Sequence, residues 1–161
     1  MEVYPGWRAM AKTMVPDDFE VPTRLSATAF RLEPLTERHN DGDYAAWMSS
    51  IAHIQFTPGF VGWSWPPSAG MSLADNLRSV RRHATHFTAR VGFTYAVLER
   101  GTDEVIGCVY LYPPADGEHD CEVRSWVRAD RSELDGPLHE AVLAWLDAAW
   151  PFRAILSHPR G

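Results

Sequence analysis

The sequence predicts an α+β fold: a mixed, mostly antiparallel sheet with helices on its faces. One observation is that strand-like and helix-like patterns follow each other in the order β-α-α-β-β-β-α-β. Another is that short turns join the middle strands, which makes them antiparallel, whereas a helix separates the last two, which makes them parallel. We expect one domain over residues 1–161, with an irregular arm at 1–27 and a core at 28–157.

Each predicted strand shows apolar–polar alternation or a run of β-forming residues that ends at a turn signal. The first strand alternates and stops at Pro34, and the third ends at Pro113 and Pro114. A turn at 101–103 joins the second strand to the third. The five strands are predicted at residues 30–35, 93–98, 105–112, 121–127 and 152–156.

The helices are predicted from apolar residues that recur every three or four positions, at about 43–53, 72–87 and 134–149. In the first helix this spacing places Tyr44, Trp47, Met48 and Ile51 on one face. The last helix has the longest pattern and ends before Pro151, because proline lacks the N–H that would continue it.

Composition excludes several classes of function. The net charge of −6 lacks the basic footprint of a nucleic-acid-binding protein. No apolar stretch approaches the roughly 20 residues that span a bilayer, and the N-terminus has no signal-peptide pattern. We therefore expect a cytoplasmic location with neither nucleic acid nor membrane as a partner.

The cysteine and histidine residues predict neither a disulfide nor a metal site. Cys108 and Cys121 lie in predicted strands and are expected to be reduced, buried thiols. His83 and His86 are neighbours on the second helix, but no third ligand lies near them in sequence. We expect no metal.

Four segments, in order, resemble the GNAT superfamily of acyl-CoA-dependent N-acyltransferases. TAFRLEPLT at 28–36 resembles the family's opening strand, and DYAAW at 43–47 resembles its first helix. VIGCV at 105–109 resembles its third strand. CEVRSWV at 121–127 resembles the fourth strand of the subgroup that acetylates ribosomal-protein N-termini. The resemblance extends from about residue 28 to 156.

This resemblance implies acetyl-CoA as co-substrate, with its pantetheine arm entering a gap between the last two parallel strands. The residues implied to pair with that arm are Trp126, Val127 and Arg128. The phosphate-binding loop is implied at 132–137, where Gly136 lies, and Arg128 and Arg131 could supply forked contacts to phosphate.

The loop departs from the family pattern "[Q/R]-x-x-G-x-[G/A]". Ser132, Asp135 and Pro137 take its three defined positions, Glu133 adds a second acid between them, and only Gly136 remains as a glycine. Acidic residues in a first helical turn stabilise the helix dipole without any ligand. The loop could therefore bind pyrophosphate, or it could be a closed structural loop.

The sequence also ends shortly after the last predicted strand, where the family usually continues with a helix and two strands. No tyrosine follows Tyr112, so the family's frequent acid would be replaced by water or another group. The last strand should then be an open edge, which proteins usually cover or pair. We expect residues 1–22 or a second subunit to cover it.

The candidate catalytic residues lie on the third and fourth strands. The resemblance implies Glu122 as the general base; alternatively, Glu122 is a carboxylate paired with Arg124 or another neighbour. Ser125 and Tyr110 could position water or substrate, or they could simply pack.

Four aromatic residues lie in a loop rich in glycine and proline at 56–70: Phe56, Phe60, Trp63 and Trp65. By the resemblance, this loop closes over the acceptor as a substrate lid. The alternative is that the aromatic side chains fill space in the core.

The function expected from these observations is acetyl transfer from acetyl-CoA to a small-molecule or peptide amine. Two alternatives stay open. One is a non-catalytic, GNAT-derived module that binds a ligand or partner. The other is a structural protein that forms a homodimer through its aromatic loop and free edge.

Overall fold

The computed structural model describes residues 12–160, and their six strands form one sheet in the order β1 to β6. Each strand is antiparallel to its neighbour except β6, which is parallel to β5. The strands are β1 Leu25–Ser26, β2 Phe30–Pro34, β3 Phe93–Glu99, β4 Val105–Tyr112, β5 Cys121–Val127 and β6 Ile155–Leu156.

Within residues 12–160, four α-helices and two 3₁₀ segments connect the strands. The helices are α1 Asn40–Met48, α2 Ile51–Gln55, α3 Leu73–Ala89 and α4 Asp135–Ala149, and the 3₁₀ segments are Glu37–His39 and Ala129–Leu134. The predicted α+β fold class, with its mostly antiparallel sheet, is confirmed.

Three local predictions need correction. The last strand, predicted at 152–156, is limited to Ile155–Leu156. The predicted helix at 43–53 is two helices, because the chain breaks at Ser49 and Ser50, where Ser49 Oγ donates to the carbonyl of Ala46. The arm expected to be irregular contains β1, which pairs with β2 through Leu25 opposite Leu32.

The sheet has an apolar core on each face. On one face α4 packs through Leu138, Val142 and Trp145, and the ring of Trp145 lies 5.1 Å from that of Tyr95 on β3. On the other face α1, α3 and the aromatic loop pack over Trp126 of β5. Cys108 and Cys121 are buried free thiols in opposite cores, which excludes a disulfide between them.

The described part of the arm packs against α3 and the α4 face. The N–H of Met14 donates to the carbonyl of Arg90 at 2.9 Å, and the ring of Phe19 lies 5.6 Å from that of Trp150. Residues 12–22 therefore add no strand to β6, which is the edge of the sheet. The rest of the arm, residues 1–11, lies outside the described residues.

A buried polar cluster joins α1 to α3. The amide nitrogen of Asn76 donates to Asn40 Oδ1 at 2.9 Å and to Asp43 Oδ2 at 3.0 Å, while Asn76 Oδ1 accepts from the Trp47 indole at 2.9 Å. Burial raises the pKa of Asp43 to about 6, although the hydrogen bond from Asn76 acts in the opposite direction.

We expect Asp43→Asn to change the pH dependence of stability. Folded Asp43 keeps a proton between about pH 4 and 6 that the unfolded chain has lost, so wild-type stability falls as pH rises through that window. The variant has no such loss and can still accept from Asn76. Its free energy of unfolding relative to wild type should rise by roughly 1–3 kcal/mol between pH 4 and pH 7 in urea titrations.

The matched control is Asp41→Asn, which removes an exposed carboxylate from the same helix. A difference between Asp43→Asn and wild type that stays constant over this pH range would contradict the assignment.

Close approach of β4 to β5 fixes the position of Trp126. Gly107 lies opposite Val127, and a Cβ at Gly107 would be 2.3 Å from the carbonyl oxygen of Trp126. Backbone atoms cannot yield at that distance without separating the strands. This contact gives a physical reason for glycine in the VIGCV segment.

Gly107→Ala should therefore lower the free energy of unfolding by about 1–3 kcal/mol in chemical denaturation, as overpacked sites do. Gly136→Ala is the control, because a Cβ at Gly136 meets no atom within 4 Å and alanine favours the helix. Equal stability of the two variants would show that the strands can separate freely at Gly107.

Candidate active site

β5 extends beyond the end of β6, its parallel neighbour. The two strands pair only where Cys121 lies opposite Ile155 and Glu122 opposite Leu156, and β6 ends there. β4, in contrast, pairs with β5 as far as Val127. Residues 123–127 thus have a strand on one side only, and we call their other side the free edge of β5.

The register of β4 and β5 shows which main-chain groups face that edge. The N–H of Arg128 donates to the carbonyl of Ile106 at 2.8 Å, so the alternating antiparallel pattern also directs Trp126 toward β4. The N–H and C=O groups of Ser125 and Val127 point the other way. Of the three residues implied to pair with pantetheine, Val127 alone presents its main chain to the free edge.

Arg160 lies at this edge. Its Nη2 donates to the carbonyl oxygen of Ser125 at 2.8 Å and to Ser125 Oγ at 3.1 Å, and its Nε donates to Asp135 Oδ2 at 2.8 Å. One guanidinium therefore joins the free edge to the first turn of α4. Sequence reasoning missed Arg160, which follows the last strand and belongs to none of the segments that carry the resemblance.

The implied phosphate loop at 132–137 spans the end of the 3₁₀ segment and the first turn of α4. Leu134 precedes α4 as N-cap and offers no side-chain cap. A Cβ at Gly136 would meet no atom within 4 Å outside the helix backbone. Just upstream, the N–H of Ala129 donates to Ser50 Oγ at 2.8 Å, which ties the loop to the junction of α1 and α2. The first turn of α4 is thus accessible at Gly136.

The two arginines implied to bind phosphate are already engaged by carboxylates. Arg128 forms a fork with Asp130 at 2.9 and 3.0 Å, and Arg131 contacts Glu99 at 2.5 and 3.3 Å. Arg128 also lines a cavity of about 520 Å³ between α1 and the turn that joins β3 to β4. Both guanidiniums hold the loop in place, and an incoming phosphate would compete with these acids.

Glu122 lies where β5 and β6 pair, and its carboxylate contacts an imidazole and a guanidinium. Oε2 lies 2.9 Å from His158 Nε2 and 2.9 Å from Arg124 Nη2. Burial raises the pKa of Glu122. The hydrogen bond with His158 and the charge of Arg124 lower it by more than burial raises it, so the pKa lies below its usual value. Glu122 is therefore ionised at neutral pH.

Arg124 is fixed from the aromatic loop. Its Nε donates to the carbonyl of Gly59 at 2.7 Å, and its guanidinium lies 3.6 Å from the ring centroid of Trp63. The alternative interpretation of Glu122, a carboxylate paired with Arg124, thus describes a real contact. This contact does not remove Glu122 from the site, because the same oxygen also meets His158.

The other two candidate catalytic residues lie apart from each other. Tyr110 Oη accepts from the indole of Trp126 at 2.9 Å, inside the core that α1 and α3 cover. Ser125 points toward Arg160 and α4, on the opposite face of the sheet. Glu122 shares the face of Tyr110.

The aromatic loop is largely core. Phe60 and Trp65 are buried, and each ring lies 6.3 Å from that of Tyr110. Trp63 is half-buried against Arg124. Phe56 differs, with 81% of its surface exposed. Of the four residues in the predicted lid, only Phe56 presents its ring fully to solvent.

Comparison with known proteins agrees with this architecture. A family model described as "Acetyltransferase (GNAT) domain" matches residues 30–156. No curated protein matches. The chain belongs to the GNAT acetyltransferase family, which confirms the resemblance noted in the sequence. Among residues 12–160, no helix has the length and apolar character needed to cross a membrane.

Several solved structures share the fold at low sequence identity. A putative ribosomal-protein-serine acetyltransferase from Vibrio cholerae aligns with TM-score 0.58 and 13% identity, over 81% of this chain and 67% of its own. The ribosomal-protein-S5-alanine acetyltransferase from Vibrio fischeri aligns with TM-score 0.65 and 11% identity, over 84% and 73%. RimL, a ribosomal L7/L12 α-N-protein acetyltransferase in complex with coenzyme A, aligns with TM-score 0.58 and 13% identity, over 78% and 66%.

Proposed function

We propose that this protein transfers an acetyl group from acetyl-CoA to an amine, with the acyl-CoA held along the free edge of β5. The observation that carries the proposal is the early end of β6, which leaves main-chain groups of Ser125 and Val127 directed at that edge. Family membership supports it, as does the coenzyme A complex of the RimL structure.

The residues present fit the chemistry of an acyl-CoA. The amides of a pantetheine arm are suited to the main-chain groups of Ser125 and Val127, as an added strand would be. A diphosphate is suited to Arg128 and Arg131 and to the first turn of α4, although the N–H of Asp135 already donates to Ser132 and Pro137 has no N–H to offer. The Asp135 carboxylate would repel that diphosphate, but Arg160 offsets its charge.

The acceptor we propose is a peptide amine, with a small-molecule amine as the other option. The names of the V. cholerae and V. fischeri proteins specify serine and alanine of ribosomal proteins. Amide formation needs the amine held against the thioester and one group to take its proton. Glu122 is proposed to act where the amine loses its proton, and Ser125 and Tyr110 are proposed to position water or substrate. The aromatic loop is proposed to form the wall beside the acceptor amine.

A second candidate is a binding module without catalysis. The pairs Arg128–Asp130, Arg131–Glu99 and Arg160–Asp135 satisfy the loop and the free edge from within the chain. Such a closed network is what a GNAT-derived module that had lost acyl-CoA binding would contain. A cytoplasmic location and a homodimer formed through the β6 edge are further proposals.

Acetyl-CoA should raise the melting temperature, because it binds only the folded chain. At a hundred times its Kd, a ligand adds about 2.7 kcal/mol, which is roughly 5–10 °C for a chain of this length. ADP, which lacks the pantetheine arm, should give a smaller shift. Peptides that begin with serine or alanine should then gain one acetyl group by mass spectrometry.

The absence of any shift with millimolar acetyl-CoA or CoA would reject the transferase and favour the binding module. A shift without transfer to these peptides, but with transfer to small amines, would change the acceptor class only.

The charge balance between Asp135 and Arg160 should control affinity for acetyl-CoA. Asp135→Asn removes the repelling carboxylate and should lower the Kd about tenfold, which corresponds to 1.4 kcal/mol. Arg160→Ala leaves that carboxylate without compensation and should raise the Kd by a similar factor. Isothermal titration calorimetry measures both, with Glu140→Gln, an exposed acid of the same helix, as the control.

If Asp135→Asn and Arg160→Ala bind acetyl-CoA as wild type does, the phosphates do not lie near the first turn of α4.

A further inference from the structure

We propose that His158 is the residue that takes the proton from the acceptor amine, and that Glu122 is a positioning residue that orients the imidazole. This inference deepens the proposed acetyl transfer and rests on it. The contact that carries it is the 2.9 Å separation between His158 Nε2 and Glu122 Oε2.

The contact fixes the tautomer of His158. An ionised carboxylate only accepts hydrogen bonds, so Nε2 must be the nitrogen that carries the proton. In the neutral imidazole Nδ1 is then the basic nitrogen, and within residues 12–160 it has no hydrogen-bond partner. The ring thus presents a free lone pair away from Glu122.

The carboxylate that orients the ring is itself held firmly. Oε2 of Glu122 also meets Arg124, and Arg124 is fixed by the Gly59 carbonyl and the face of Trp63. Gly59 approaches the imidazole so closely that a Cβ there would lie 3.1 Å from His158 Cδ2. The ring is therefore positioned by both β5 and the aromatic loop.

Glu122 is less suited to take the proton itself. Its carboxylate already accepts hydrogen bonds from two neighbours. These neighbours lower the pKa of Glu122 by more than burial raises it. A carboxylate stabilised in its ionised form is a weak base, whereas imidazole is the side chain that changes charge near neutral pH. The pair resembles nucleophile-activating sites in which a carboxylate orients a histidine and stabilises the imidazolium.

The position of His158 after β6 places it beside the first residues of β5. It follows β6 by two residues, where Leu156 pairs with Glu122, and Arg160 of the same segment reaches Ser125 at the free edge. The imidazole is thus near the end of β5 remote from the loop proposed for the phosphates. About a quarter of its side chain is exposed, at 25%.

The proposed step balances as follows. The amine nitrogen forms a bond to the thioester carbonyl carbon and the carbon–sulfur bond breaks. The proton of the amine passes to His158 Nδ1, and Glu122 stabilises the resulting imidazolium. That proton then passes to the departing thiolate, which leaves as the thiol and restores neutral His158.

The tautomer can be tested without any ligand or activity. The chain has seven histidines, so the His158 signals are assigned by their loss in the His158→Gln spectrum. In ¹⁵N-histidine-labelled wild-type protein at mildly alkaline pH, the nitrogen shifts should show the proton on Nε2. A proton on Nδ1 would overturn the proposal whatever the activity.

The role is tested by chemical rescue. His158→Ala should keep the thermal shift with acetyl-CoA and lose about 100-fold or more in kcat, as loss of a general base does. Added imidazole should restore part of that rate. Glu122→Gln should also lower kcat, but imidazole should not restore it. His53→Ala, which changes a half-buried histidine on α2, is the control and should keep full activity.

Two failures are distinguishable. If wild type shows neither acetyl-CoA binding nor transfer, the proposed function fails. If wild type is active and His158→Ala retains its kcat, or loses it without rescue by imidazole, the role of His158 fails alone.

Discussion

The early end of β6 is the constraint on which the rest of the site depends. A strand inside a sheet pairs with a neighbour on each side, but from residue 123 onward β5 pairs with β4 only, and on its other side Arg160 donates to the Ser125 carbonyl. It stays extended because β4 holds it along its length, with Gly107 allowing the close approach and Trp126 anchored to Tyr110. A rigid strand with one open edge suits capture of an extended, amide-containing chain.

Charge is distributed around this edge in compensated pairs. Asp135 is neutralised by Arg160 at the α4 end, and at the β6 end Glu122 is neutralised by Arg124 and contacts His158. Removing one member of a buried pair costs more than the pair contributes, because the remaining charge loses its partner. The site is therefore ordered before any ligand arrives, and ligand phosphates have to compete with acids already in place.

The sequence predicted the parts of the site that depend on local pattern. Alternation located β5, helical spacing located α4, and the helix between the last two strands predicted that they are parallel. The gap between those two strands was implied by the family resemblance alone. Glu122 and Arg124 share a face because side chains alternate along a strand. His158 and Arg160 could not be found this way, because only the register of β6 brings them to Glu122 and Ser125. The hydrogen bond from the N–H of Ala129 to Ser50 Oγ, at the junction of α1 and α2, is likewise a contact between residues far apart in sequence.

Amide hydrogen exchange along β5 tests the central claim most directly. Without ligand, the amides of Ser125 and Val127 should exchange faster than those of Trp126 and Arg128, which donate to β4. Millimolar acetyl-CoA should slow Val127 about tenfold or more and leave Trp126 unchanged. A Val127 amide that is already as slow as that of Trp126, or that acetyl-CoA does not slow, would contradict the account.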